Sequence, residues 1–146
     1  MRISHIGHVA VMLVLALTLV GCKDSPAEEE TSGSDLATVE PVEGSDVARV
    51  TLTEEAAERI DVQTVPVERG DRSALSIPYA AVLYDPAGDT WTYTSPEDLV
   101  FVREQISVIR IDGEQALLSK GPPAGTAVVT VGAAELLGTE YEVGEE

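Results

Sequence analysis

The sequence predicts an all-β domain, a small β-barrel or β-sandwich with one short helix, reached through a disordered N-terminal tether. Three observations predict it. From residue 47 onward, short runs rich in Val, Ile, Thr and Tyr recur about every 8–12 residues. Gly, Pro and Asp clusters separate these runs. About 100 residues follow residue 46, enough for a single modest core.

Each element follows from local chemistry. VARVTL, 47–52, reads as a first strand. TEEAAERI, 53–60, reads as the short helix, with Thr53 as its N-cap and Glu54 and Glu55 at its positive end. DVQTVPVE, 61–68, reads as a strand that Pro66 confines to a sheet edge. Arg69 to Arg72 is a turn, and its Arg-Gly-Asp triplet is read as turn chemistry. SIPYAAVLY, 76–84, is a strand entered through Pro78. Asp85 to Asp89 is a hairpin loop with Pro early and Gly late. TWTYT, 90–94, alternates Thr with Trp91 and Tyr93, so one face is aromatic, and Tyr84 and Trp91 are placed to pair across the loop. Ser95 to Asp98 is another turn.

LVFVREQISVIRI, 99–111, is long enough for one bent strand or two strands. Its later apolar residues break strict alternation, which predicts a bulge. Asp112-Gly113 marks a tight hairpin, and EQALLSK, 114–120, returns. After the rigid loop Gly121 to Gly125, TAVVTV, 126–131, reads as a buried strand. Ala133 to Gly138 is expected to form one helical turn closed by Gly138, and TEYEV, 139–143, a last strand.

The segment before the domain has a different composition. Residues 23–46 are rich in Glu, Asp, Ser, Thr, Gly and Pro, with Leu36, Val39 and Val42 as the sizeable apolar residues. Such a stretch buries too little surface to offset its ordering entropy. As a random coil it would span about 25–30 Å. Its Glu28-Glu29-Glu30 run is read as solvated spacer.

Further upstream, Arg2 precedes an apolar stretch from Ile6 to Val20, the length of a secretory h-region and shorter than a spanning helix. Leu19-Val20-Gly21-Cys22 closes it, and Cys22 is the chain's one cysteine. This quartet resembles the lipobox of bacterial lipoproteins. The resemblance implies cleavage after Gly21, a lipidated Cys22, a signal peptide over 1–21, and a lipidated acidic linker over 22–46. The protein would then be extracytoplasmic and lipid-anchored to the bacterial membrane, at the cell surface or in the periplasm.

Processing would remove His5, His8, Met1 and Met12, and lipidation would consume the thiol. The remaining chain has no His, no Met and no free Cys. A Ser–His pair, a Cys nucleophile and an imidazole base are thereby excluded. So are zinc and copper sites built on nitrogen or sulfur ligands. The net charge of −17 becomes one unit more negative when Arg2 leaves. A chain this acidic lacks the basic surface that nucleic-acid binding requires.

From Ile77 onward the order of segments resembles the C-terminal part of periplasmic adaptor proteins, the membrane-fusion proteins of efflux systems. The matching features are a proline-led strand at Pro78 to Val82, Gly88, and the aromatic strand Trp91 to Tyr93. Gly121, Gly125, Val128, Val129, Gly132, Ala133 and Leu136 complete them. Residues 50–68 resemble the segment by which adaptors enter the same region. The resemblance implies a membrane-proximal-domain-like fold over 47–146 and docking onto a transmembrane transporter subunit. Adaptors carry a lipoyl-like domain and a helical hairpin in mid-chain, whereas here residues 69–76 pass directly between β segments.

Candidate sites are few. Asp85 and Asp89 lie four apart around Gly88, but a calcium loop needs a denser set of oxygen ligands, so a turn is the preferred reading. Tyr84, Trp91 and Tyr93 are candidate packing or ligand-face aromatics. Cys22 is the lipidation site. No catalytic residue, metal ligand or cofactor is assigned. The expected function is a non-catalytic, adaptor-like accessory lipoprotein of an efflux or export transporter. The alternative is a lipoprotein that binds a small solute or cell-wall component through an aromatic face. A carboxylate-based hydrolase ranks last.

Overall fold

Alternating strands with one apolar face must bury that face, and here two sheets and two helices do so. The computed structural model describes residues 36–70 and 74–143. In chain order the elements are β1 (Ala37–Pro41), β2 (Ala48–Leu52), α1 (Glu54–Arg59), β3 (Gln63–Pro66), β4 (Glu68–Arg69) and β5 (Leu75–Pro78). A 3-10 turn (Tyr79–Ala81) precedes β6 (Leu83–Tyr84), β7 (Thr90–Glu97) and β8 (Val100–Gln105). Then come β9 (Ser107–Asp112), β10 (Gln115–Lys120), β11 (Ala127–Val131) and α2 (Ala133–Val143). The larger sheet runs β1-β2-β8-β7-β11-β3, with β6 also on β7. The smaller runs β4-β5-β10-β9. Every pairing among the described residues is antiparallel. The domain is all-β in class, as its turn spacing predicts.

The two faces of the larger sheet feed two cores. Successive side chains of a strand point to opposite faces. Val129 therefore joins Val50, Leu52, Phe101, Tyr93 and Leu136 beneath the helices, while Val128 joins Ile77, Ala116 and Leu118 of the smaller sheet. The chain crosses between sheets at Val67 and Ile106, both buried. Each crossing residue keeps its backbone bonded: Val67 N–H donates to Thr126 O at 2.8 Å and Ile106 N–H to Thr90 O at 2.9 Å. The run 61–68 is thus two strands in different sheets, and 99–111 is likewise β8 and β9 joined at Ile106.

Several expectations are met. Thr53 caps α1, its Oγ1 accepting from Ala56 N–H at 3.2 Å. Pro66 ends β3, which is an edge strand. The Asp85–Asp89 loop closes through Asp85 N–H to Asp89 O and Gly88 N–H to Asp85 O. The predicted bulge falls in β9, where the register against β10 slips between Leu117 and Leu118.

Four expectations need correction. First, Ala37–Pro41, inside the segment read as linker, is a strand paired along its full length with β2. An edge strand needs hydrogen bonds and one buried face only, and Ala37 with half-buried Val39 supplies that face. Second, Ser76–Tyr84 is not continuous, because the 3-10 turn Tyr79–Ala81 interrupts it. Third, the turn after β7 is Asp98-Leu99, not Ser95–Asp98: Glu97 still pairs with Val100, and Leu99 takes φ 59°. Fourth, Gly138 does not stop a helix and 139–143 is not a strand. One helix, α2, runs from Ala133 to Val143. Gly132, at φ 86°, ends β11, and Leu136 N–H donates to Gly132 O at 3.0 Å. Ala133, Leu136, Leu137 and Glu140 then share one helix face over the sheet, at the spacing i, i+3, i+4, i+7.

Candidate functional site

The most unusual chemistry in the domain lies under α2. Tyr93 on β7 faces Arg103 on β8 in register, so their side chains share the helix-covered face of the larger sheet. Glu140 descends onto them from α2. Its Oε1 accepts from Arg103 Nη2 at 3.0 Å and from the backbone N–H of Ala48 at 3.0 Å. Its Oε2 accepts from the Tyr93 hydroxyl. Arg103 Nη1 donates to the Tyr141 hydroxyl at 3.2 Å. The guanidinium also lies 4.5 Å from the Trp91 ring centre and 5.4 Å from that of Tyr141, within cation–π range of both. The Arg103 and Glu140 side chains retain only 5% and 4% of their exposure. Arg103 Nε is buried without a partner.

Burial costs the charged forms, and the pairing opposes that cost. For Arg103, burial pulls the pKa down, but the Glu140 charge, Tyr141 and the hydrogen bonds to both hold it above its ordinary value. For Tyr93, burial, then the hydrogen bond to Glu140 and its charge, push the phenol well above the usual tyrosine range. Near neutral pH Arg103 is therefore a charged guanidinium and Tyr93 a neutral phenol, both bonded to Glu140. The cluster fastens α2 to strands β2, β7 and β8.

The aromatics singled out in the sequence do not form one face. Tyr93 is fully buried, Trp91 is half-buried, and Tyr84 is 54% exposed. In the register, Leu83 faces Trp91 and Tyr84 faces Thr90. Tyr84 therefore does not pair with Trp91, and it shares the face of Thr90 rather than that of Trp91 and Tyr93. Trp91 instead donates its Nε1–H to Asp85 Oδ2 at 3.0 Å, while Asp85 Oδ1 accepts from Asp89 N–H at 2.8 Å. Desolvation opposes ionisation of Asp85, but the bonds from Trp91 and the loop N–H groups outweigh it and hold the carboxyl below its ordinary value. Asp85 is thus the loop's own anchor. Cys22 lies outside the described residues.

Sequence reasoning missed Arg103, Glu140 and Tyr141. Arg103 sat in an apolar run, and Glu140 and Tyr141 were assigned to a strand. A signal was present: Glu140 falls where a fourth apolar residue would continue the face of Ala133, Leu136 and Leu137. A charge at such a position marks a buried partner.

Between α1, α2 and the start of β1 lies a cleft of about 200 Å³, floored by Leu36, Ala37, Leu52, Ala56 and Ile60. Among the described residues no group of three or more His, Cys, Asp or Glu is placed to hold a metal ion. Among them, too, no helix is long and apolar enough to cross a membrane. No family model, curated protein or solved structure matches this chain.

Proposed function

We propose that this chain is a membrane-anchored extracytoplasmic lipoprotein. Its β domain would act as a non-catalytic, adaptor-like accessory of a transmembrane efflux or export transporter. The observation that carries this reading is the apolar run Ile6–Val20 ending in Leu19-Val20-Gly21-Cys22, followed by an acidic spacer and a folded β domain. An acylated Cys22 would hold the domain beside the membrane. Tethering raises its effective concentration near a membrane partner without new contacts.

Two features of the domain support contact over catalysis. Among the described residues the one buried charge pair is used internally, and exposed apolar residues such as Ile109 and Ile111 lie on a strand rather than in a deep pocket. The solute-binding alternative has less support, because Tyr84, Trp91 and Tyr93 lie at different depths and on two faces.

The test has two arms. Cys22→Ala should move the protein from the membrane fraction to the soluble fraction. Cross-linking of the wild-type protein in native membranes should capture a transporter subunit. Retention of the Cys22→Ala protein in the membrane defeats the anchor. Cross-linking that yields no transporter component defeats the partner, even if the lipid is present.

A further inference from the structure

We infer that β9 is a self-association edge, at which two copies of this chain pair antiparallel about a two-fold axis at Ile111. Open sheet edges are normally blunted by brevity, proline or charge. Among the described strands, the edges β1, β3, β4 and the two-residue β6 are short or end in proline. β1 ends in Glu40-Pro41, β3 is four residues long and ends in Pro66, and β4 is two residues long. β9 is the longest of the described edges, at six residues, has no proline, and carries Ile109 and Ile111 at 58% and 42% exposure beside the charged Arg110 and Asp112. Its second edge has no strand partner among the described residues.

The backbone sets which atoms are offered. Asp112 faces Gln115 across the two-residue turn Gly113-Glu114. A pair closing such a turn directs its N–H and C=O groups at each other. Those of Ile111 therefore point away from β10, toward the open edge. A second copy placed antiparallel at Ile111 exchanges both bonds with the same residue, as an isologous contact requires.

Charge selects the partner and the register. The chain carries a net charge of −17, so two copies repel unless the contact supplies local opposite charges. With the axis at Ile111, Arg110 of each copy faces Asp112 of the other, and Ile111 faces Ile111. Both charged side chains are exposed and already meet at 3.4 Å within one strand. Shifting the axis to Arg110 would instead oppose two arginines. Ile109 is the extra residue of the β9 bulge, so the regular pairing across the axis is confined to Arg110, Ile111 and Asp112.

The test is a disulfide scan in the full chain carrying Cys22→Ala, so that the added thiol stands alone. Directly opposed, hydrogen-bonded residues have Cα atoms about 5.5 Å apart, inside the disulfide range. Ile111→Cys should give a covalent dimer on mild oxidation, whereas Ser107→Cys and Glu114→Cys should stay monomeric. In sedimentation of the unoxidised chain, Arg110→Asp and Asp112→Arg should each weaken dimerisation by about tenfold, from two lost pairs of exposed charges. The double variant Arg110→Asp/Asp112→Arg should restore it. A monomeric Ile111→Cys protein with native circular dichroism overturns the inference. So does equal cross-linking at Ser107→Cys, or charge reversals without effect.

Discussion

Replacing Glu140 by glutamine tests the central claim about α2. Glutamine keeps the shape and one acceptor oxygen but removes the charge. Arg103 would then be a guanidinium with 5% side-chain exposure, no counter-charge, and an Nε already unpartnered. Breaking a buried pair from one side costs about 3–5 kcal/mol. Glutamine can still accept from Ala48 N–H or the Tyr93 hydroxyl, which places the expected loss at the lower end, about 3 kcal/mol. With a urea slope of about 1.5 kcal/mol/M, the unfolding midpoint should fall by roughly 2 M. The exposed pair Arg59–Glu55, also about 3 Å long at 2.9 Å, is the internal control. Arg59→Gln should move the midpoint by less than about 0.5 M, since exposed i,i+4 helix pairs contribute about 0.3–0.5 kcal/mol. Adding Arg103→Met to Glu140→Gln should recover part of the loss, because it removes the unpaired guanidinium while the glutamine oxygen still accepts from Tyr93 or Ala48. A Glu140→Gln midpoint within about 0.5 M of wild type, at unchanged slope, would refute the buried-charge account.

Two further outcomes follow from particular residues. Because the Tyr93 phenol is held above its unfolded value, the stability it contributes is present below about pH 10 and is lost as pH rises beyond that, where only the unfolded phenol ionises. In ultraviolet titration Tyr93 should ionise above the usual tyrosine range, and Tyr93→Phe should flatten the alkaline slope of the unfolding midpoint; a wild-type slope in the variant would contradict this. Gly132→Ala should destabilise by about 1–3 kcal/mol, since alanine at φ 86° is strained and its Cβ would meet Val62 Cγ2 at 3.2 Å and Ile60 Cδ1 at 3.3 Å. Thermal unfolding within a degree of wild type would show that the β11–α2 corner yields freely.

Local chemistry made most of the domain legible. The Thr53 cap, the Asp85–Asp89 loop, the Gly113 turn and the β9 bulge depend on residues within a few positions of one another. They appear where turn and capping preferences place them. The site was not legible, because its parts meet only through packing. Arg103 and Glu140 are 37 residues apart, and Glu140 reaches Ala48 across 92. The same holds for the split of residues 61–68: Val65 and Val67 look like one alternating strand, yet Val65 lies in β3 and Val67 is where the chain crosses to β4 in the other sheet.

The sequence by itself determined the all-β class, the turns, the strand candidates, and the residue types available for chemistry. These depend on backbone preference and on hydrophobic period, which act over one or two turns of chain. Tertiary structure decided what the ends of the domain became. Residues 37–41 were too polar to predict as ordered, and became a strand because β2 offered a complete row of backbone partners. Residues 139–143 carried a strand's alternation, and became helix because Leu136 and Glu140 on one helical face could bury against Tyr93 and Arg103 together. In both cases a local preference of a few tenths of a kcal/mol per residue was outweighed by hydrogen bonds and burial that exist only once the sheet has formed.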